Sequence, residues 1–123
     1  MREVVVTGLG IISPIGQSAA EVTENLLAAR SGIRLWSAES MKKTFPAGIV
    51  QRELDSAFET KDLPYLDRLT KLAVIAADQA MTDAGLPPSC AELGLRAGVF
   101  AGTVCGGADS GCKLNCDKKS VND

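Results

Sequence analysis

The 123-residue sequence predicts an α/β fold, and three observations carry that expectation. A β-branched apolar run lies near the N-terminus, two segments have helical periodicity with their own start and stop signals, and a second apolar run spans Leu95–Ala101. The first run, Val4-Val5-Val6-Thr7, predicts a strand at Glu3–Thr7. Its apolar residues do not alternate with polar ones, which implies burial on both faces, as in a mixed or parallel sheet covered by helices.

The run then breaks into glycines, TGLGIISPIG. Gly8 and Gly10 fit the first two positions of a dinucleotide-binding G-x-G-x-x-G, but the third falls on Ser13 and the next glycine is Gly16. Pro14 fixes its own φ and pushes Ser13 toward an extended conformation. A helix N-terminus is thereby kept out of the loop, where a pyrophosphate would need it. The loop is expected to be a structural turn, with no cofactor bound.

The first helix starts at a candidate capping box, Ser18 and Glu21, and carries Val22, Leu26 and Ala29 on one face. Gly32 stands where a glycine stop belongs. Ile33 to Thr44 reads as a mixed loop holding the only tryptophan, Trp36. Phe45–Val50 predicts a second strand, with Pro46 marking an edge or a strand start. Glu53 to Lys61 is polar and predicts a short helix or loop.

The longest element follows. Pro64 suits a first helical turn. The apolar positions Leu69, Ala73, Ala76, Ala77, Ala80 and Ala84 keep the 3.6 period, opposite Asp67, Lys71, Asp78 and Thr82. Gly85, Pro87 and Pro88 end it. A stripe this poor in side-chain bulk lets another element approach closely. Leu95–Ala101 predicts a further strand leading into GTVCGGADSG, and from Asp109 the chain is polar and aperiodic. The expected organisation is one folded segment, 1–107, and a polar tail or loop, 108–123.

Composition narrows the function. Apolar residues make up 46% and charged residues 23%, as in an ordinary globular domain. A formal charge of -2 and 4% aromatics argue against a nucleic-acid partner. No apolar run is long enough to span a membrane, and three valines are too few for a secretory signal, so a cytoplasmic location is expected. The chain contains no histidine, which removes the usual acid–base group near neutral pH. Cys90, Cys105, Cys112 and Cys116 match no zinc spacing and are expected to be free thiols, with no metal site.

Four stretches together are more specific than any one of them: VVVTGLGIISPIG (Val4–Gly16), LLAARSGI (Leu26–Ile33), LDRLTKLAVIAADQAMTDAGL (Leu66–Leu86) and GVFAGTVCGG (Gly98–Gly107). In this order and spacing the chain resembles the N-terminal portion of the β-ketoacyl-(acyl carrier protein) synthases, condensing enzymes of the thiolase fold. It departs from the family at Thr23, where a tryptophan is frequent, and at Val104, near a frequent glycine.

The resemblance implies the N-terminal portion of a thiolase-like layered α-β-α fold with a mixed sheet, truncated, with Glu3–Thr7 and Leu95–Ala101 as adjacent strands. It implies a fragment of a 3-oxoacyl-(acyl carrier protein) synthase, which joins an acyl thioester to malonyl-(acyl carrier protein) by decarboxylative Claisen condensation. The family's cysteine nucleophile and two histidines are expected beyond this chain, leaving no catalytic residue within it and no activity of its own. Cys105 falls at a position that lines the acyl pocket, and Asp67-Arg68 at a recurrent acidic–basic pair. Acyl carrier protein and a homodimer or heterodimer partner are the implied partners. The alternative is a non-catalytic partner subunit of the chain-length-factor type.

Overall fold

A computed structural model describes residues 3–38, 43–87 and 90–107. The polar tail expected at 108–123, with Cys112 and Cys116, and the helix-ending Pro88 lie outside the described residues. The described chain is α/β: α1 (Ala19–Leu27), an antiparallel hairpin of β1 (Ile33–Ala38) and β2 (Lys43–Gly48), and α2 (Arg68–Asp83). Short 3-10 turns occur at Asp55–Ala57, Leu63–Tyr65 and Cys90–Arg96. The chain divides into two compact units, Met1–Glu53 with Val74–Pro88, and Leu54–Ala73 with Ser89–Asp123.

In the first unit, α1 begins as its sequence requires. The Ser18 hydroxyl accepts the Glu21 N–H at 3.2 Å, and the Glu21 carboxylate accepts the Gln17 N–H at 2.8 Å. The acid thus reaches one residue further back than a reciprocal capping box would. Val22 is buried on the inward face, whereas Leu26 is 63% exposed. The helix stops earlier than Gly32. Ala29 takes φ +51°; its N–H bonds Leu26 O at 3.0 Å and the Arg30 N–H bonds Asn25 O at 2.9 Å, a complete Schellman closure. The left-handed residue is an alanine, a conformation that costs an L-residue about 1 kcal/mol. Gly32 is needed for space instead, because a Cβ there would lie 2.7 Å from Ile15 Cγ2 and 2.8 Å from Pro14 Cβ.

The segment from Ile33, expected as a loop, is strand β1. Its register sets Trp36 opposite Phe45 and Leu35 opposite Pro46. The Trp36 and Phe45 rings meet edge to face, with centroids 5.3 Å apart, a cross-strand pair that stabilises a two-stranded sheet. The β2 strand is Lys43–Gly48, two residues earlier than expected, and Pro46 is accommodated because a two-stranded sheet has only edges.

The C-terminal half of α2 belongs to this unit and ends at Gly85, at φ +65°. Gly85 N–H to Thr82 O, 3.0 Å, and Leu86 N–H to Met81 O, 2.9 Å, form a second Schellman closure, here with the expected glycine.

Two expected strands do not form. Glu3–Thr7 has no strand pairing, and Val4, Val5 and Val6 are exposed. Leu95 falls inside the 3-10 stretch Cys90–Arg96, which kinks at Gly94, and 97–101 is irregular with Val99 and Phe100 exposed. The reason is pairing. A β-branched run holds an extended strand only when a neighbour takes its N–H and C=O groups, and the sheet among the described residues is the hairpin alone. The mixed, helix-covered sheet expected from the sequence is therefore absent from the described residues. Buried apolar side chains among them are Val22, Leu54 and Ile75.

In the second unit, Leu54 is 3% exposed, and Lys71 Nζ pairs with Asp55 at 2.7 Å. Pro64 lies in the separate 3-10 turn Leu63–Tyr65 and not in the helix, which starts at Arg68. No helix among the described residues is long and apolar enough to cross a membrane.

Candidate functional site

The glycine-rich turn is pinned to α2 by its own amides. The Leu9 N–H donates to Asp83 Oδ2 at 2.9 Å and the Ile11 N–H to Gln79 Oε1 at 3.1 Å. Further along, the Ser13 N–H bonds Gly16 O at 2.8 Å and the Gly16 N–H returns to Ser13 O at 3.3 Å. The Ile15 N–H donates to Ser13 Oγ, and that of Gln17 to Glu21. These amides are engaged within the protein and so are not offered to a phosphate.

Gly8 and Gly10 have another cause. A Cβ on Gly8 would collide with the Ala80 carbonyl and lie 2.7 Å from Ala84 N. On Gly10 it would collide with the Ala76 carbonyl and lie 2.8 Å from Ala80 N. The stripe Ala76, Ala80, Ala84 is the bed on which these glycines lie. The other expected stripe residues, Leu69, Ala73 and Ala77, are exposed.

A polar cleft of about 350 Å3 opens beside the turn, also within the first unit. Residues 13–17 form one wall, and the base of the hairpin forms another, with Gly48 close enough to Pro14 that a Cβ would sit 3.1 Å from its Cγ. Arg30 and Arg34 line the cleft together with Asn25, Ser31, Gln51 and Glu21. Arg30 Nη1 donates to Asn25 Oδ1 at 3.0 Å, and Arg34 Nη1 to Gln51 Oε1 at 2.9 Å. Asn25 is itself fixed, because its Nδ2 donates to Ile15 O. The sequence pattern does not single out this cleft, since Asn25, Arg34 and Gln51 meet only once the hairpin has formed. The one local signal is the pair of arginines flanking Ser31-Gly32-Ile33.

Cys105 lies in the second unit, exposed and unbonded to another cysteine, within the loop 103–107. That loop rests on the start of α2. A Cβ on Gly106 would collide with Leu69 and lie 2.9 Å from Thr103 Oγ1, and Gly107 adopts φ +76° beside Asp67. Among the described residues no group of three or more His, Cys, Asp or Glu could hold a metal.

Asp67, expected as half of an acidic–basic pair, acts as the helix cap. Its Oδ1 accepts the Thr70 N–H at 2.7 Å. Hydrogen bonds from the Thr70 side chain and backbone hold its carboxyl below the ordinary value. A lowered folded pKa adds stability that is fully present above the unfolded value, near 3.9, and lost as pH falls through the folded one. Asp67→Ala is therefore expected to lower Tm at pH 7 and to flatten the fall of Tm below about pH 4, read by circular dichroism. An unchanged acid limb would place the cap elsewhere.

The family described as "Beta-ketoacyl synthase, N-terminal domain" matches residues 1–123. Among characterised relatives, 3-oxoacyl-[acyl-carrier-protein] synthase 1 of Escherichia coli is 31% identical over 105 residues, covering 84% of this chain and 26% of its own. The ketoacyl synthase beta subunit of the tetracenomycin polyketide synthase from Streptomyces glaucescens is 37% identical over 117 residues, 88% of this chain and 27% of its own. The alpha subunit of the same synthase is 31% identical over 108 residues, 85% of this chain and 25% of its own. The chain thus spans about a quarter of the length of these relatives. Matched from its first residue to its last, the chain belongs to the β-ketoacyl synthase family, to that family's N-terminal domain.

Proposed function

We propose that this chain is the N-terminal segment of a 3-oxoacyl-(acyl carrier protein) synthase of thiolase-like fold. Such an enzyme joins an acyl thioester to malonyl-(acyl carrier protein) by decarboxylative condensation. The observation that carries the reading is the family match along all 123 residues. The segment's part is architectural: it seats the turn at Gly8–Gly16 on α2 and presents the loop 103–107. A nucleophile held at a helix N-terminus and the histidines that stabilise an enolate are supplied from outside it. Acyl carrier protein is the proposed donor partner, with a homodimer or a heterodimer as the working assembly and the cytoplasm as its location.

Within that reading Cys105 lines the acyl pocket, and residues 1–107 form the folded segment ahead of a polar tail at 108–123. Support comes from its exposed thiol, in a loop whose glycines let the backbone lie against Leu69. The test uses a full-length synthase carrying this segment. Cys105→Phe adds an aromatic ring to the loop, and is expected to shorten the acyl chains accepted while sparing the shortest primers, read as product chain length. An unchanged profile places the side chain away from the pocket.

A further inference from the structure

The cleft at the base of the hairpin has two arginines and one carboxylate in its lining. We infer that it is an anion site, built for a tetrahedral, phosphate-class dianion held between Arg30 and Arg34. Among the described residues neither guanidinium has a carboxylate partner; each is held by one hydrogen bond to a neutral amide oxygen. That bond uses one Nη1 hydrogen and orients the planar group, leaving its other N–H donors available. The bracket on Arg30 is rigid, because Asn25 is tied at both ends, to Arg30 and to Ile15 O.

More donors share the lining. Gln51 accepts from Arg34 through its carbonyl oxygen, so its amide hydrogens remain, and the Ser31 hydroxyl accepts the Ile33 N–H, so its own hydrogen remains. Glu21 is the lining carboxylate, and it already accepts the Gln17 N–H. Two positive groups thus face one engaged negative group.

The geometry favours phosphate over carboxylate. Arg30 follows the end of α1 and Arg34 sits on β1, so the two forks approach from separate backbone segments. A carboxylate has two coplanar oxygens and saturates one fork, whereas a phosphate has enough oxygens to engage both. At about 350 Å3 the cleft has room for the group and part of what carries it.

The test titrates the full 123-residue chain with inorganic phosphate, and separately with acetate, at constant ionic strength. Backbone amide shifts of residues 30–34 and calorimetry are the readouts. Saturable binding of one phosphate is expected, weakened at least about tenfold by Arg30→Gln or by Arg34→Gln and unchanged by Lys61→Gln, a charge removed in the other unit. Circular dichroism checks each variant, and Arg34→Gln, on an exposed strand position, decides the matter if Arg30→Gln fails to fold. No saturation, acetate binding as tightly as phosphate, or an equal loss in Lys61→Gln would each overturn the site.

Discussion

Replacing Gly10 with alanine is expected to destabilise the chain by about 3 kcal/mol, enough to unfold a marginal domain. The added methyl would occupy the place of the Ala76 carbonyl and press on Ala80 N at 2.8 Å. Backbone cannot rotate away as a side-chain tip can, so relief would require the turn to lift off α2. Lifting it breaks the Leu9 to Asp83 and Ile11 to Gln79 hydrogen bonds, each of which reaches across more than sixty residues of sequence. The loss compounds. Gly102→Ala is the matched control: nothing lies within 4 Å of its added Cβ and its φ is not positive, so a change within about 0.5 kcal/mol is expected. Urea melts followed by circular dichroism compare the two. Equal stabilities would refute the close approach of the turn to the helix.

What was legible in the sequence was local. Ser18 and Glu21, and Gly85 after Asp83, satisfy helix ends with groups three to five residues away, so their spacing alone is informative. The small side chains of Ala76, Ala80 and Ala84 announced a close neighbour without saying which. It is the Gly8–Gly10 backbone, and the same contact explains why the turn is rich in glycine. Strands were legible only as propensity. Val4–Val6 has the composition of a strand and no partner among the described residues, while Ile33–Ala38 has a broken alternation and is a strand because Phe45 lies opposite Trp36. Gly32 has the sequence position of a helix stop but is a packing glycine, because Ala29 accepts the left-handed position three residues sooner. The arginine cleft was illegible for a related reason. Asn25, Arg34 and Gln51 are brought together by tertiary structure, and no spacing rule connects them.

Catalytic inactivity of the chain by itself is the largest functional effect expected. Decarboxylative condensation requires a nucleophile to hold the acyl group and donors that stabilise the enolate left after carbon dioxide departs. Four cysteines are present, yet there is no histidine to perform the second task. Among the described residues Cys105 is exposed in a loop and no helix starts beside it, so none of them supplies the helix end that favours a thiolate in this chemistry. The direct measurement is carbon dioxide release and ketoacyl product from malonyl- and acyl-(acyl carrier protein) with the purified 123-residue chain. The architectural reading predicts both at the level of a no-protein control. Turnover above that control, lost on Cys105→Ala, would contradict it and make Cys105 the nucleophile.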